Sequence, residues 1–382
     1  MPNKKKYNKK GFCQCADLAQ LVEQRIRNAW VTCSSHVIGT TFFSKEVSFM
    51  KKSTKIKSKQ EPKIDVSFVM SVYNKEYYLP SVLKALLNQS GVKNPEYIFV
   101  DDMSKDASVE IIKKMTKGIK NVTIVAKDKN EGISTTCNQG IALAKGEWVR
   151  MLDSDDIFPL DSTEIMLDIA KKNKADMVYG RFTKTGKEPE DLTQEKTNLP
   201  LDYKTYDNAL HAVLTGRFTR MGQLIKRKVL QGAKGADPFV FIQDESIPLR
   251  CAKIAKGKIV KMQNYVVLVP KETNNLSKNT VQLDHDRFFA NYNMLVENYK
   301  TLDKKMSALM NLKAVSANWK YVKKNIKMPY LRADFATYLY TKILLPKPNF
   351  NKLKSYAKRF STLSGVLRSK EMKEACQKGI YN

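Results

Sequence analysis

From residue 64 onward the chain alternates two kinds of hydrophobic pattern. Residues 64–72 (IDVSFVMSV) are apolar and β-branched with few charges, the signature of a buried strand. In residues 76–89 the apolar positions Leu79, Val82, Leu83, Leu86 and Leu87 recur at helical spacing, which predicts an amphipathic helix. The alternation continues with strands at 97–100, 122–126, 148–152 and 176–179, and helices at 108–117, 134–144 and 163–172. Strands and helices of this size in strict alternation predict a three-layer α/β fold around a parallel sheet.

In such sheets ligands bind outside the carboxyl ends of the strands. Three of the predicted strands end in polar clusters there: Tyr73-Asn74, Asp101-Asp102 and Asp153-Ser154-Asp155-Asp156. These loops are where a nucleotide is expected. Beyond about residue 280 the strands stop. Stretches 286–299, 304–324 and 330–344 read as helices with aromatic residues among lysines, then Pro346 and Pro348 break the chain before a basic helix at 353–368. The first of these helices are expected to cap the α/β domain, while the last leaves open a contact with an anionic membrane surface. The expected division is an N-terminal extension at 1–62, an α/β domain at 63–278 and a basic, mostly helical region at 279–382.

Residues 1–49 carry neither pattern. Cys13, Cys15, Cys33 and His36 have the residue types of a zinc set, but no hairpin or helix pattern frames them. Segments 16–28 and 34–42 resemble peptides translated across a transfer-RNA gene, so Met50 is the expected natural start and the extension is expected to contribute little to the fold.

Charge narrows the partners. Among 382 residues, 67 Lys+Arg stand against 38 Asp+Glu, a net charge of +29. This favours nucleic acid, phospholipid headgroups or a pyrophosphate-linked substrate, or else reflects a lysine-rich solvated surface. No run reaches the roughly 18 apolar residues that cross a bilayer, and no apolar stretch follows the basic start. Six cysteines without a dense framework suggest reduced thiols. The expected location is cytoplasmic, at most peripheral at the inner face of the membrane.

Carboxylates one residue apart at a strand end, as in 153–156, project oxygens toward one point. Hard cations such as Mg2+ or Mn2+ take one or two carboxylates together with substrate phosphates, and neutralise charge on a leaving diphosphate. The alternative for this cluster is an acidic turn capping the next helix.

Taken together, VSFVMSVYN at 66–74 with Glu76, VDDMSKD at 100–106, NEG at 130–132 with NQG at 138–140, and GEWVRMLDSDD at 146–156 resemble the family 2 glycosyltransferases. The resemblance is strong over about 64–180 and looser to about 277. It implies a GT-A fold and an inverting, metal-dependent transfer from a nucleotide-sugar donor, usually a UDP-sugar. The implied cofactor is Mn2+ or Mg2+, and the implied acceptor is a glycan or lipid-linked molecule in surface polysaccharide synthesis.

On this resemblance Tyr73, Asn74 and Glu76 flank the nucleobase, while Asp101 and Asp102 contact base and ribose. Asn130 and Gly132 lie in the loop that lets the donor approach the sheet. Asp153 meets the ribose, and Asp155 is favoured as metal ligand with Asp156 its closest competitor. Downstream, FIQDESIPLR at 241–250 matches the acceptor segment, making Asp244 the expected general base and Glu245 its rival; Gln243 stands where the family's first acid is expected. A base must be ionised and within hydrogen-bond reach of the hydroxyl, though both acids also suit a helix N-terminus. Arg250 reads as a partner of the diphosphate or the acidic cluster, or as an ordinary helix-face charge. Residues 271–277 resemble a loop that closes over the donor, with Lys271 in place of the usual His or Arg.

Arg217, Arg220, Lys226, Arg227 and Lys228 read either as steering an anionic acceptor or as an exposed strand edge. Three other functions fit the sequence less well. A sugar nucleotidyltransferase would need a glycine-rich loop, which residues 71–76 lack. An inactive scaffold sits poorly with intact acidic clusters. A nucleic-acid-binding protein would gather its basic residues in a recognition motif, so no nucleic acid is expected.

Overall fold

The strands that carry the acidic clusters flank a shared central strand. The computed structural model describes residues 63–216, 218, 222–271 and 279–381. In it β1 (Val66–Val72) is flanked by β2 (Pro95–Asp101) and β4 (Trp148–Asp153), both parallel to it. β3 (Val122–Ala126) extends the sheet beyond β2. Helices α1 (Leu79–Leu87), α2 (Ser108–Met115) and α3 (Ile133–Leu143) make the crossovers. After β3 the chain therefore crosses to the other side of β1, and this reversal opens a crevice at the carboxyl ends.

The second half departs from simple alternation. It runs α4 (Ser162–Lys172), β5 (Ala175–Lys184), β6 (Tyr203–Tyr206), α5 (Ala209–Thr215), β7 (Gln223–Lys226), α6 (Arg227–Gly232), α7 (Gln243–Ile254) and β8 (Lys258–Val269). The strand order is β3-β2-β1-β4-β7-β5-β8-β6. The strand at 176–179 does not continue the parallel series directly, because β7 is inserted antiparallel between β4 and β5. Nor is 223–228 an exposed edge. Leu224 and Ile225 are buried in the middle of the sheet, and Lys226, at the end of β7, lies 2.9 Å from Asp176 and over the Trp148 ring.

Packing follows the period-2 pattern of β1. Phe68 and Met70 face α1 and α4 in one cluster with Leu83, Phe99 and Met166. Val69 faces α3, where Gly140 permits close approach, since an added Cβ there would collide with it. Each large side chain fully buried in this way contributes roughly 1.5–3 kcal/mol. Buried Arg150 on β4 donates to Ser162 Oγ (2.9 Å), Thr163 Oγ1 and the Val266 carbonyl (3.0 Å) and stacks on Phe158, tying β4 to α4 and β8.

The C-terminal region holds α8 (Thr280–Asn298), α9 (Lys304–Asn325), α10 (Ala333–Leu344), α11 (Phe350–Ser361) and α12 (Lys370–Gln377). Asn279, Asp303, Asn349 and Ser369 cap α8, α9, α11 and α12 by accepting a backbone N–H three residues on. The helix expected at 353–368 stops at Ser361, and α12 was not foreseen. No helix among the described residues is long and apolar enough to cross a membrane. The zinc-type residues, Met50, Arg217, Arg220 and the loop after Lys271 lie outside the described residues.

Candidate active site

Strand register gathers the acids where the chain reverses. Asp101 ends β2 beside Val72, and Asp153 ends β4 beside Ser71. A small, partly open cleft lies there, lined among others by Ser71, Cys137, Asp153, Gln223, Gln243 and Asp244. Asp244 reaches it from the first turn of α7, where its charge also complements the helix N-terminus. Pro248, inside the same helix, lacks the N–H that would close on the Asp244 carbonyl.

The carboxylates repel one another. Burial pushes the Asp153 carboxyl well above the usual range, and Asp244 and Asp155 push it further. Asp156 is raised for the same reasons, by burial first and then by Asp155, Asp153 and Asp244. Its Oδ2 is buried without a hydrogen-bond partner. Gln243 Nε2 donates to Asp153 Oδ1 at a long 3.4 Å. Lys75 Nζ sits 2.5 Å from Asp155 Oδ2. Burial would lower this ammonium, but Asp155 more than offsets that, so its pKa rises and it stays charged.

Such a field attracts cations. Among the described residues, no three acid, imidazole or thiol groups are placed to hold an ion by themselves. A hard cation that takes its remaining oxygens from water and phosphate needs only one or two carboxylates. The orphaned Asp156 oxygen and the ammonium drawn to Asp155 both fit a cation at this cluster.

The acids after β2 are treated differently. Asp102 accepts from Glu131 N and Gly132 N, each at 2.9 Å, and from Lys127 Nζ at 2.8 Å. Asn130 Nδ2 donates to the Asp102 carbonyl at 3.0 Å. Asp102, Asn130 and Gly132 thus form one clamp that shapes the loop before α3. Gly132 has φ +91°, and an added Cβ would stand 3.2 Å from the Phe241 ring. Asp101 Oδ2 accepts from Ser104 N at 2.9 Å, whereas its buried Oδ1 has no partner.

Asn74 and Glu76 lace the loop after β1 to the loop after β2. Asn74 Oδ1 accepts from Lys105 N (2.8 Å) and Glu76 Oε2 from Ala107 N (2.9 Å). Tyr73 is exposed. Of the two candidates for a base, Asp244 lines the cleft, while Glu245 is buried and paired with Arg287 Nε at 3.1 Å. Arg250 Nε donates to the carbonyls of Ala233 and Gly235, both at 3.1 Å, fastening the loop before α7. Lys271 Nζ lies 3.1 Å from Glu188.

Three residues at or behind the site escaped the sequence reading: Lys75, Gln223 and Asp286. Asp286, on α8, accepts the N–H of Ile242 at 2.9 Å, immediately before α7. It also accepts from Gln282 Nε2 at 3.0 Å, and His285 Nδ1 lies 2.7 Å from it. Asp286 therefore positions the turn that carries Asp244. The available signal was an acid-His-acid run at 284–286, one residue before Phe288 and Phe289, polar residues on a helix face that turns inward.

Comparison with known proteins gives these features a context. Residues 67–232 match the profile of Glycosyl transferase family 2. An uncharacterized glycosyltransferase of Haemophilus influenzae is 31% identical over 196 residues, covering 51% of this chain and 74% of that protein. The poly(ribitol-phosphate) beta-glucosyltransferase of Bacillus spizizenii is 33% identical over 119 residues, but the chain spans only 19% of its length. Among solved structures, S. aureus TarS residues 1–349 in complex with UDP-GlcNAc superposes with a TM-score of 0.55 at 14% identity. That match covers 78% of this chain and 86% of the TarS chain. The shared architecture is the GT-A fold.

Proposed function

The chain belongs to the family 2 glycosyltransferases, and on that premise we propose that it moves a sugar, with inversion, from a nucleoside-diphosphate donor to a hydroxyl of a glycan or lipid-linked acceptor during synthesis of a cell-surface polymer. The observation that carries this reading is that Asp153 and Asp244 share one cleft at the switch point of the sheet, with Asp155 close enough to raise Asp153, and all three close enough to raise Asp156. UDP is the first donor to try, because the TarS structure holds UDP-GlcNAc. A surface polymer is favoured by the name of the poly(ribitol-phosphate) relative.

Each residue then has a task. The unpartnered Asp101 Oδ1 accepts an N–H of the nucleobase, and Asp153 receives the ribose hydroxyls. Asp155 and Asp156 would hold Mn2+ or Mg2+ jointly with the donor diphosphate. When bound, that ion offsets charge developing on the departing diphosphate. Asp244 takes the proton of the acceptor hydroxyl as its oxygen bonds to the anomeric carbon. The bond from that carbon to the diphosphate oxygen breaks, and its electron pair leaves with the nucleotide. With Gln243 in place of an acid, one negative charge fewer crowds the base.

Calorimetric titration of the full chain with UDP, with and without Mn2+, tests the donor site. Binding that requires Mn2+ and disappears in Asp155→Asn is expected. Absence of binding by UDP, GDP and dTDP to folded protein would make the chain an inactive scaffold of this fold.

A further inference from the structure

α10 uses only part of its apolar surface for packing: Phe335 and Tyr338 lie against the Trp319 ring. A helix on a protein surface ordinarily buries its apolar stripe and exposes its polar one. Here the buried positions are Asp334 and Thr341. Asp334 accepts from Asn318 Nδ2 at 3.0 Å and pairs with Arg359 at 2.8 Å. Facing solvent are Tyr340, Ile343 and Leu344, joined by Met328 and Leu331 from the preceding turn. Leu331 is 78% exposed and Ile343 74%, values that leave these side chains no share in the fold's own packing. Exposed large apolar side chains gathered on one short segment are the kind of surface that marks an interaction site.

The surroundings of the patch identify the partner. Between residues 327 and 347 the exposed charged residues are Lys327, Arg332, Lys342 and Lys347, all cationic, and the one acid in that stretch, Asp334, is buried in its ion pair. A second copy of this chain would bring an equally cationic rim against this one. An anionic polymer would need the lysines but not the exposed isoleucine and leucines. A bilayer with anionic headgroups matches both, since its interface takes apolar side chains while its phosphates meet the surrounding cations.

The adjacent helix supplies the contrast. α11, the segment in which the sequence left membrane contact open, turns Leu353, Tyr356, Ala357 and Phe360 inward, against Phe288 and its neighbours. Its apolar stripe is already used.

We propose that the surface formed by residues 328–345 docks the protein on an anionic lipid bilayer, with Leu331, Tyr340, Ile343 and Leu344 entering the interface and Lys327, Arg332, Lys342 and Lys347 meeting lipid phosphates. This does not depend on the donor or on the reaction. The test is co-sedimentation of the full chain with vesicles of phosphatidylcholine alone or mixed with phosphatidylglycerol. The double variant Ile343→Ser/Leu344→Ser alters only exposed side chains, and its cooperative thermal melt is checked alongside. Salt-sensitive binding to the phosphatidylglycerol vesicles is expected, weakened about tenfold or more in the serine variant and in Lys342→Glu/Lys347→Glu. Equal binding by the wild type and the serine variant, or no binding to either vesicle, would overturn the proposal. So would a dimer in light scattering that the serine variant dissociates while vesicle binding is absent, which would assign the surface to a second copy.

Discussion

Two strands of the same sheet end in acidic runs, Asp101-Asp102 at β2 and Asp153 to Asp156 at β4, and the fold treats Asp102 in the opposite way from the β4 acids. Asp102 receives two backbone N–H groups and the Lys127 ammonium. A carboxylate served by that many donors is part of the architecture. The β4 acids are supplied with far less: a long bond from Gln243, the Lys75 contact, and an Asp156 oxygen with nothing to accept from. Their mutual repulsion is tolerable in a folded protein only if something cationic or hydrogen-donating joins them. The donors a fold supplies, rather than acidity itself, separate a structural carboxylate from one kept for a ligand.

The largest effect is expected where the comparison places chemistry. Asp244→Asn should lower turnover of a UDP-sugar by about 10²–10⁴-fold, the range for losing a general base, with UDP affinity nearly unchanged. A loss smaller than about tenfold would move the base elsewhere, with Glu245 next to be examined. Asp102→Asn should instead act on stability. It leaves the Lys127 ammonium, whose side chain is 7% exposed, with Glu131 at 3.0 Å as its remaining carboxylate and Thr136 Oγ1 at 3.1 Å. Removing one partner of a buried pair costs roughly 3–5 kcal/mol, and Glu131 places the expectation at the lower end. A marked fall in Tm by calorimetry is expected. An unchanged Tm with weaker UDP binding would transfer Asp102 to the ligand-facing class.

Asp334 provides the smallest and cleanest test of the donor rule. Burial would raise this carboxyl, but hydrogen bonds from Arg359 and Asn318 outweigh burial and hold it below the usual range. A carboxyl depressed in the folded state adds stability that is complete above the unfolded value of about 3.9. That stability is lost as pH falls through the lower folded value. Below about pH 4, the wild type should therefore lose Tm more steeply than Asp334→Asn. Parallel pH profiles would mean that the Arg359 pair contributes nothing.

Much of this was legible before any coordinates. Leu79, Val82, Leu83 and Leu86 mark α1 because a helix buries every third or fourth residue, and each of them is buried. The acids at the ends of β2 and β4 could be placed at one edge of the sheet, since parallel strands share their carboxyl ends. β7 was not legible. Four residues are too few to show a period, and lysines beside them imitated an edge strand. α10 misled in another way: it was expected to cap the α/β domain with its lysines outward, and it packs Phe335 and Tyr338 on Trp319, but it also buries Asp334 and Thr341 and leaves Ile343 and Leu344 exposed.

The sequence by itself determined the alternation of strands and helices over about 64–180, the family motifs and which loops carry carboxylates, because these rest on spacing between near neighbours. Only the tertiary structure decided which carboxylates are satisfied. Asp102 meets Lys127 across 25 positions of chain, and Asp153 meets Gln243 across 90. Periodicity reports which face of an element turns inward, but it carries no record of the donor that a distant segment delivers there.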